Sequence, residues 1–369
     1  MGNRPTVHVD TRVSVVAEQF VRLLLHCGMP ATDLDWIHAE GPRVEEVLVG
    51  GRARSTLFTG SQGVAERLSA SLGGRVFLED AGFDWKILGP DVSDLDYVAW
   101  QCDQDAYAAT GQKCSAQSVL FMHENWGKAG LLDQLRQRAS TVSRCRGPGS
   151  SQAPLPPPPA RGRTSGPLTI PAHPRPQRSL GNLTVGPVLT WSTDRIMAHV
   201  EAVSSLPGAR VLFGGRPLSG HAIPPQYGAV EPTAVFVPLE TMLRDPETFA
   251  LCTTELFGPF QVVTQWSDAQ LGLVLECCER MSNHLTAAVV SRDPVFINHV
   301  LSNTVNGTTY AGIRARTTGA PQNHWFGPGG DPRSAGIGTP EAIRLVWSYH
   351  REIIHDAGPC PDAAGLPQS

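Results

Sequence analysis

The sequence predicts an α/β protein organised on a parallel sheet. Three observations predict it. Short strand-like and helix-like runs alternate from Val7 to Leu78. The alternation resumes after a proline-rich break in the middle of the chain. The composition is 41% hydrophobic against 17% charged over 369 residues, which permits packed cores in two domains of ordinary size.

The elements follow in order. Val7 to Val9 read as a short strand. Thr11 to Cys27 read as a helix, because Val13, Val16, Ala17, Phe20 and Leu24 fall on one face at helical spacing. Asp10 or Thr11 caps its start, Gly28 ends it and Pro30 follows. Asp33 to His38 read as a strand, Pro42 to Val49 as a short helix and Ser55 to Thr59 as a strand. Ser61 to Leu72 read as a helix with Val64, Leu68 and Leu72 inward, and Arg75 to Leu78 as the next strand. Beyond the break come a helix near Thr193 to Ser205, strands at Arg210 to Phe213 and Ala234 to Val237, and a helix near Gln270 to Met281.

Charge and composition exclude several function classes. The net charge is -4, so no basic bias points to nucleic acid or a membrane surface. No apolar run approaches the ~20 residues of a membrane span. The eight cysteines include no CxxC and no His/Cys cluster at metal-ligand spacing, so no metal site is expected. Thinly spread cysteines suit a reducing intracellular compartment, where the sequons at Asn182 and Asn306 stay idle. The N-terminus reads as neither a signal peptide nor an amphipathic presequence. Residues 145–180 hold ten of the 31 prolines, around "PLPPPPAR". Proline that dense blocks helix and sheet pairing, so a disordered, partly polyproline insertion is expected. Neither GxGxxG nor a P-loop occurs, so the chain opens on a strand that reads as mid-sheet.

The chemistry gathers around "ATGQKCSAQSVLF". Cys114 leaves a turn between Lys113 and Ser115, just before an apolar run. A thiol attacks only as thiolate, and Lys113 with nearby N–H groups can supply positive potential. Upstream, "RVFLEDAGFDW" puts Glu79 at the end of a strand, where α/β proteins place ligands. Downstream, "TTELFGPFQVV" puts Glu255 and Phe257 in a turn beside a strand. The glycine-rich "YAGIRARTTGAPQNHWFGPGG" reads as a binding loop or a linker. Structural alternatives are a packing cysteine, capping or salt-bridged glutamates and a plain turn.

These segments, with "LFTGS" at Leu57–Ser61, resemble the aldehyde dehydrogenase superfamily in order. "EDAGFDWKILGPD", "CDQDAYAATGQKCSAQSVLFMHENW" and "NGTTYAGIRARTTGAPQNHWFGP" are similar to its plant-type delta-1-pyrroline-5-carboxylate dehydrogenase branch. The resemblance implies an incomplete Rossmann-type cofactor domain over residues 1–88 and an α/β catalytic domain over 89–330. It implies a C-terminal return and oligomerisation segment over 331–369. It further implies NAD-dependent oxidation of glutamate γ-semialdehyde to glutamate in proline catabolism, in a homo-oligomer of the mitochondrial matrix. Cys114 would be the nucleophile and Glu79 the base that activates water. Gly60 and Ser61 would hold the pyrophosphate at a helix start, with the serine satisfying orphan N–H groups, Glu255 the ribose, and Phe257 the nicotinamide. Ser115, Gly319 and Ala320 would grip the substrate carboxylate, and Phe326 would pack on its aliphatic chain.

Three departures from the family pattern stand out. No "WNFP"-like stretch supplies the oxyanion-hole asparagine, and one such donor carries roughly 10²–10³ in rate. The chain reads as N-terminally truncated, which would leave apolar faces of the cofactor domain open. His8 stands where the family has a lysine, and the proline-rich insertion interrupts the catalytic domain. The alternative reading is therefore a catalytically degenerate subunit of a full-length aldehyde dehydrogenase. A different aldehyde would require loss of the Ser115 and Gly319 grip. A thiol hydrolase lacks a histidine base, because His123 reads as structural.

Overall fold

The structure, a computed structural model, describes residues 4–51, 53, 56–80, 82–140, 178–318, 352–360 and 366. These fall into two compact units that divide between Asp80 and Ala81. Residues 141–177, with most of the proline-rich segment, lie outside the description, as do 319–351.

The first unit alternates as its sequence pattern predicts. Strand β1 (Thr6–His8) is followed by α1 (Ser14–His26), β2 (Asp35–Ile37), α2 (Gly41–Gly50), β3 (Thr56–Gly60), α3 (Gln62–Ser71) and β4 (Val76–Asp80). The strands form two separate parallel pairs, β1 with β2 and β3 with β4, and not one sheet. Strand β4 runs two residues past the predicted end, because Glu79 pairs with Thr59 and Asp80 with Gly60. In α3, Leu68 and Leu72 are buried as predicted, in a small cluster with Ala65, Val76 and Leu78. Helix α1 differs from expectation. Its apolar face is present, but no residue of the helix is buried, and Val16 and Phe20 are 73% and 60% exposed.

The second unit is a three-layer α/β structure. Its strands are β5 (Asp84–Leu88), β6 (Gln117–His123), β7 (Arg210–Phe213), β8 (Thr233–Phe236), β9 (Phe260–Trp266), β10 (Thr286–Val290), β11 (Thr308–Ala311) and β12 (Glu352–His355). They form one sheet in the order β12-β11-β10-β5-β6-β9-β8-β7, parallel except for β7 against β8. The sequence reading puts residues 84–88 at the end of the cofactor domain; as β5 they run between β10 and β6 in this sheet.

Central strands are covered on both faces, so their side chains alternate between two apolar layers. Trp85, Ile87, Val119, Phe121 and Val262 enter one layer, and Leu88, Leu120, Met122 and Val263 the other. Burying each such side chain contributes about 1.5–3 kcal/mol. The first layer receives α7 (Thr193–Ser204), α8 (Leu239–Leu243), α9 (Pro246–Cys252), α10 (Leu271–Arg280) and α11 (Pro294–Ser302). The second receives α4 (Leu95–Tyr107), α5 (Glu124–Lys128) and α6 (Leu131–Ala139). No helix of the described residues is long and apolar enough to cross a membrane.

The sequence reading carries the insertion to residue 180, but Arg178 belongs to the core. It is fully buried, and its Nη2 donates to Asp103 Oδ2 at 2.6 Å. Its peptide N–H donates to the Ser140 carbonyl at 3.1 Å, so residues 140 and 178 lie side by side.

Candidate active site

Helix α4 positions the candidate nucleophile. Every residue from Tyr97 to Tyr107 is buried, including Gln101, Asp103, Gln104 and Asp105. Buried polar groups call for partners, and each of these residues has at least one, although Gln101 Oε1 and Asp103 Oδ1 accept no hydrogen bond from the described residues. Gln101 Nε2 donates to the Ile313 carbonyl at 3.0 Å, and Tyr107 Oη to the Thr233 carbonyl at 3.1 Å. The helix then ends in three consecutive left-handed residues, Ala109 (φ 54°), Thr110 (φ 59°) and Gly111 (φ 68°). At Gly111 a Cβ would stand 2.2 Å from the Gly258 carbonyl oxygen, so only glycine fits there.

The chain next crosses to the candidate thiol. Gln112 is held at both ends of its amide: Nε2 donates to the Pro187 carbonyl and Oε1 accepts from the Leu189 N–H, each at 2.9 Å. Lys113 and Cys114 are half-buried and Ser115 is buried. The Ala116 N–H closes a turn on the Lys113 carbonyl at 3.0 Å before β6 begins. Beneath it, Gln117 Nε2 donates to Gln261 Oε1 at 2.6 Å, and Gln261 Nε2 to Tyr107 Oη at 2.8 Å. Burial, then the Arg316 charge, pushes the Lys113 ammonium pKa down. Among the buried thiols, burial pushes Cys102 up to about 11 and Cys252 and Cys277 up to about 12.

Two further segments close on this turn. A Cβ at Gly82 would lie 2.0 Å from the Cys114 carbonyl oxygen and 2.7 Å from Asp84 Oδ2. The Gly82 N–H also donates to the Glu255 carboxyl. Glu255 is half-buried, and burial pushes its carboxyl up to about 8, against the pull of that N–H. Phe257 adopts a left-handed φ of 44° and Gly258 abuts Gly111. A shallow hollow open to solvent lies here, lined by Phe83, Lys113, Ser118, Glu255 and Phe257 among others.

Within the second unit, then, Cys114, Ser115, Glu255 and Phe257 gather around Gly82 and Gly111. In the first unit, Gly60 ends β3 beside Asp80, and Thr59 pairs with Glu79. The candidate pyrophosphate turn and the candidate base thus share the C-terminal end of one parallel strand pair, the end at which α/β proteins bind ligands. The Glu79 side chain lies outside the description. Ser61 is the N-cap of α3, but its hydroxyl makes no capping bond, contrary to the sequence reading. The first-turn N–H groups therefore stay uncapped by it, and an exposed helix start of this kind suits a pyrophosphate. His8 Nε2 donates to the Ala39 carbonyl at 2.9 Å. Gly319, Ala320 and Phe326 lie outside the described residues.

His123 has the structural role its position predicts. Its Nδ1 accepts the Asn125 N–H at 3.2 Å, its Nε2 faces Asp268 at 3.2 Å, and its ring packs edge-on against Trp266. Among the described residues no group of three or more His, Cys, Asp or Glu could hold a metal. Sequence reading missed Gly111 and the buried polar residues of α4. Their signal was four polar side chains between two aromatic residues in "YVAWQCDQDAY".

Comparison with known proteins adds the following. Residues 1–158 match the aldehyde dehydrogenase family. The chain is 54% identical over all its 369 residues to the mitochondrial delta-1-pyrroline-5-carboxylate dehydrogenase 12A1 of Arabidopsis thaliana, and covers 60% of that protein. It is 26% identical over 325 residues to the 1-pyrroline-5-carboxylate dehydrogenase of Bacillus pumilus, 84% of this chain and 53% of the relative. A solved 1-pyrroline-5-carboxylate dehydrogenase superposes with a TM-score of 0.66 at 21% identity, over 94% of this chain and 59% of that one, which shows the shared fold. The chain therefore spans roughly three fifths of the length of its plant relative.

Proposed function

Because the chain belongs to the aldehyde dehydrogenase family, we propose that it takes part in the NAD-dependent oxidation of glutamate γ-semialdehyde to glutamate. The observation that supports this reading is the meeting at Gly82 of three motif segments. The glycine of "EDAG" lies against the Cys114 carbonyl and donates its N–H to Glu255 of "ELFGP".

Cys114, as thiolate, adds to the aldehyde carbon and leaves an alkoxide on the former carbonyl oxygen. A nicotinamide held beside Phe257 would supply the hydride acceptor that this adduct needs to become a thioester. Glu79 takes a proton from water, whose oxygen attacks the thioester, releases glutamate and returns the thiolate. General-base help of this kind supplies roughly 10²–10⁴-fold. Ser115, Gly319 and Ala320 hold the α-carboxylate, and Phe326 packs on the methylenes. Gly60 and Ser61 present open N–H groups to the pyrophosphate. Glu255, with its proton bound near neutral pH, can donate to a ribose hydroxyl as well as accept, and Phe257 borders the nicotinamide position. The family uses NAD or NADP; the choice of NAD, the mitochondrial matrix and a homo-oligomeric assembly are parts of this proposal.

The test is NADH formation by the purified chain with delta-1-pyrroline-5-carboxylate. Turnover that Cys114→Ala abolishes, with Glu79→Gln stalling at the thioester, supports the reading. Turnover that survives Cys114→Ala overturns it. A second reading, a subunit active only beside a full-length relative, is favoured by α1, which buries none of its residues. Co-purification with a complete dehydrogenase and silence alone would favour it.

A further inference from the structure

Asp105 is wholly buried on α4, yet it is the most heavily hydrogen-bonded carboxylate of the site region. Lys86 Nζ donates to its Oδ2 at 2.7 Å, and Lys86 is itself fully buried. Arg316 Nε donates to Oδ1 at 2.8 Å. The Thr317 N–H donates to Oδ2 at 2.8 Å, and Thr318 Oγ1 to Oδ1 at 2.6 Å. Arg316 Nη2 donates back to Thr318 Oγ1 at 3.0 Å, and its guanidinium lies 4.9 Å from the centre of the Trp100 ring. Burial alone would raise the Asp105 pKa, but Lys86 and Arg316 hold it at about 2, so the carboxylate is charged.

Three of the four donors come from one short segment, Arg316 to Thr318, which continues directly into Gly319 and Ala320. The fourth comes from β5, in the centre of the sheet. Asp105 itself stands four residues before the left-handed turn that leads to Lys113, Cys114 and Ser115. One rigid carboxylate thus couples the helix that delivers the nucleophile to the segment that leads into "TTGAP". A charged group saturated in this way has a single geometry, because moving any donor leaves a buried charge less well satisfied.

We propose that Asp105 is a positioning residue: it fixes the Arg316–Thr318 turn relative to the nucleophile turn, and so sets the grip on the substrate carboxylate. The proposal deepens the reading of the site given above and rests on it. The lysine of β5 serves as the counter-charge that allows the carboxylate to stay ionised inside the core. Asp105 touches neither the reacting carbon nor the thiol; it acts through Thr317 and Thr318.

The test uses the full chain and two variants. Asp105→Asn removes the charge but leaves Lys86 buried without its partner, so it can unfold. Thr318→Val removes one outer hydrogen bond and leaves the ion cluster whole. Hydrogen exchange followed by mass spectrometry reads the segment around residues 315–318, and calorimetry reads glutamate binding. Loss of a hydrogen bond to a charged group corresponds to about tenfold or more. In Thr318→Val, exchange of that segment should quicken about tenfold and glutamate should bind about tenfold more weakly, with the melting temperature lowered by only a few degrees and the fold kept. For turnover, KM should rise for the amino-acid aldehyde while kcat toward a plain aliphatic aldehyde holds. Unchanged exchange in Thr318→Val overturns the positioning role. Quickened exchange with unchanged glutamate affinity overturns the link to the substrate grip. If the wild-type chain neither binds glutamate nor oxidises its semialdehyde, the functional reading fails, and the exchange measurement still decides what Asp105 holds.

Discussion

A methyl group on Gly82 would stand 2.0 Å from the carbonyl oxygen of Cys114, inside any permitted contact. The obstacle is backbone, not a flexible side-chain end, and Asp84 Oδ2 closes the other side at 2.7 Å. Gly82→Ala must therefore push the nucleophile turn away. Overpacking of this kind costs about 1–3 kcal/mol. The expected result is a lower urea midpoint together with a changed alkylation rate at Cys114. A variant matching wild type in both would show that the turn yields freely.

The same glycine donates to Glu255, whose carboxyl is pushed from an ordinary 4.5 to about 8 by burial. The folded state therefore binds this proton more tightly than the unfolded chain. Its contribution to stability is full below the unfolded pKa and is lost as pH rises through about 8. Asp84, raised by burial in spite of its bonds from Thr286, acts in the same direction. Glu255→Gln should flatten part of the decline in the urea midpoint between about pH 5 and pH 8.5. An unaltered slope would mean that Glu255 is ionised in the folded protein.

Much of the fold was legible because periodicity reports amphipathic elements. Helix α3 and strands β3 and β4 follow their patterns to within a few residues. What was not legible is what is buried all round. Helix α4 buries the polar residues Gln101, Asp103 and Asp105, whose partners lie far along the chain at Ile313, Arg178 and Arg316. Only the fold brings those pairs together. Strands β10 and β11 are short and hidden on both faces, so they show no alternation. Helix α1 fails in the opposite way: its apolar spacing marks a helix correctly, but spacing says nothing of what covers that face. At the site, motif order singled out Cys114 and Glu255 as candidates, whereas the close approach of Gly111 to Gly258 depends on tertiary geometry.

Arg178 and Asp103 offer a test of how the interrupted stretch is anchored. The pair is buried at 2.6 Å, and Arg178 Nη1 also donates to the Thr184 carbonyl at 3.1 Å. Arg178→Met leaves Asp103 buried without its counter-charge, at a cost of about 3–5 kcal/mol. Adding Asp103→Asn should recover part of that loss, since the two sites share one interaction. Denaturant midpoints of the two single variants and the double variant measure the coupling. Additive losses would show that the pair is not coupled.

The left-handed turn before the nucleophile makes a prediction of opposite sign. Ala109 is exposed and holds φ 54°, a region that costs an L-residue roughly 1–2 kcal/mol and glycine almost nothing. Glycine, however, gives up more unfolded-state freedom, which offsets roughly 0.5–1 kcal/mol of the gain. Ala109→Gly should therefore stabilise by a few tenths to about 1 kcal/mol. Thr110 beside it is buried, so the same exchange there also removes packed atoms and should destabilise. The two variants share one turn and one backbone conformation, and only burial separates them. Thermal melts that move in opposite directions would establish that strain at Ala109 is local to its backbone. A destabilised Ala109→Gly would mean that the alanine methyl contributes contacts worth more than the strain it imposes.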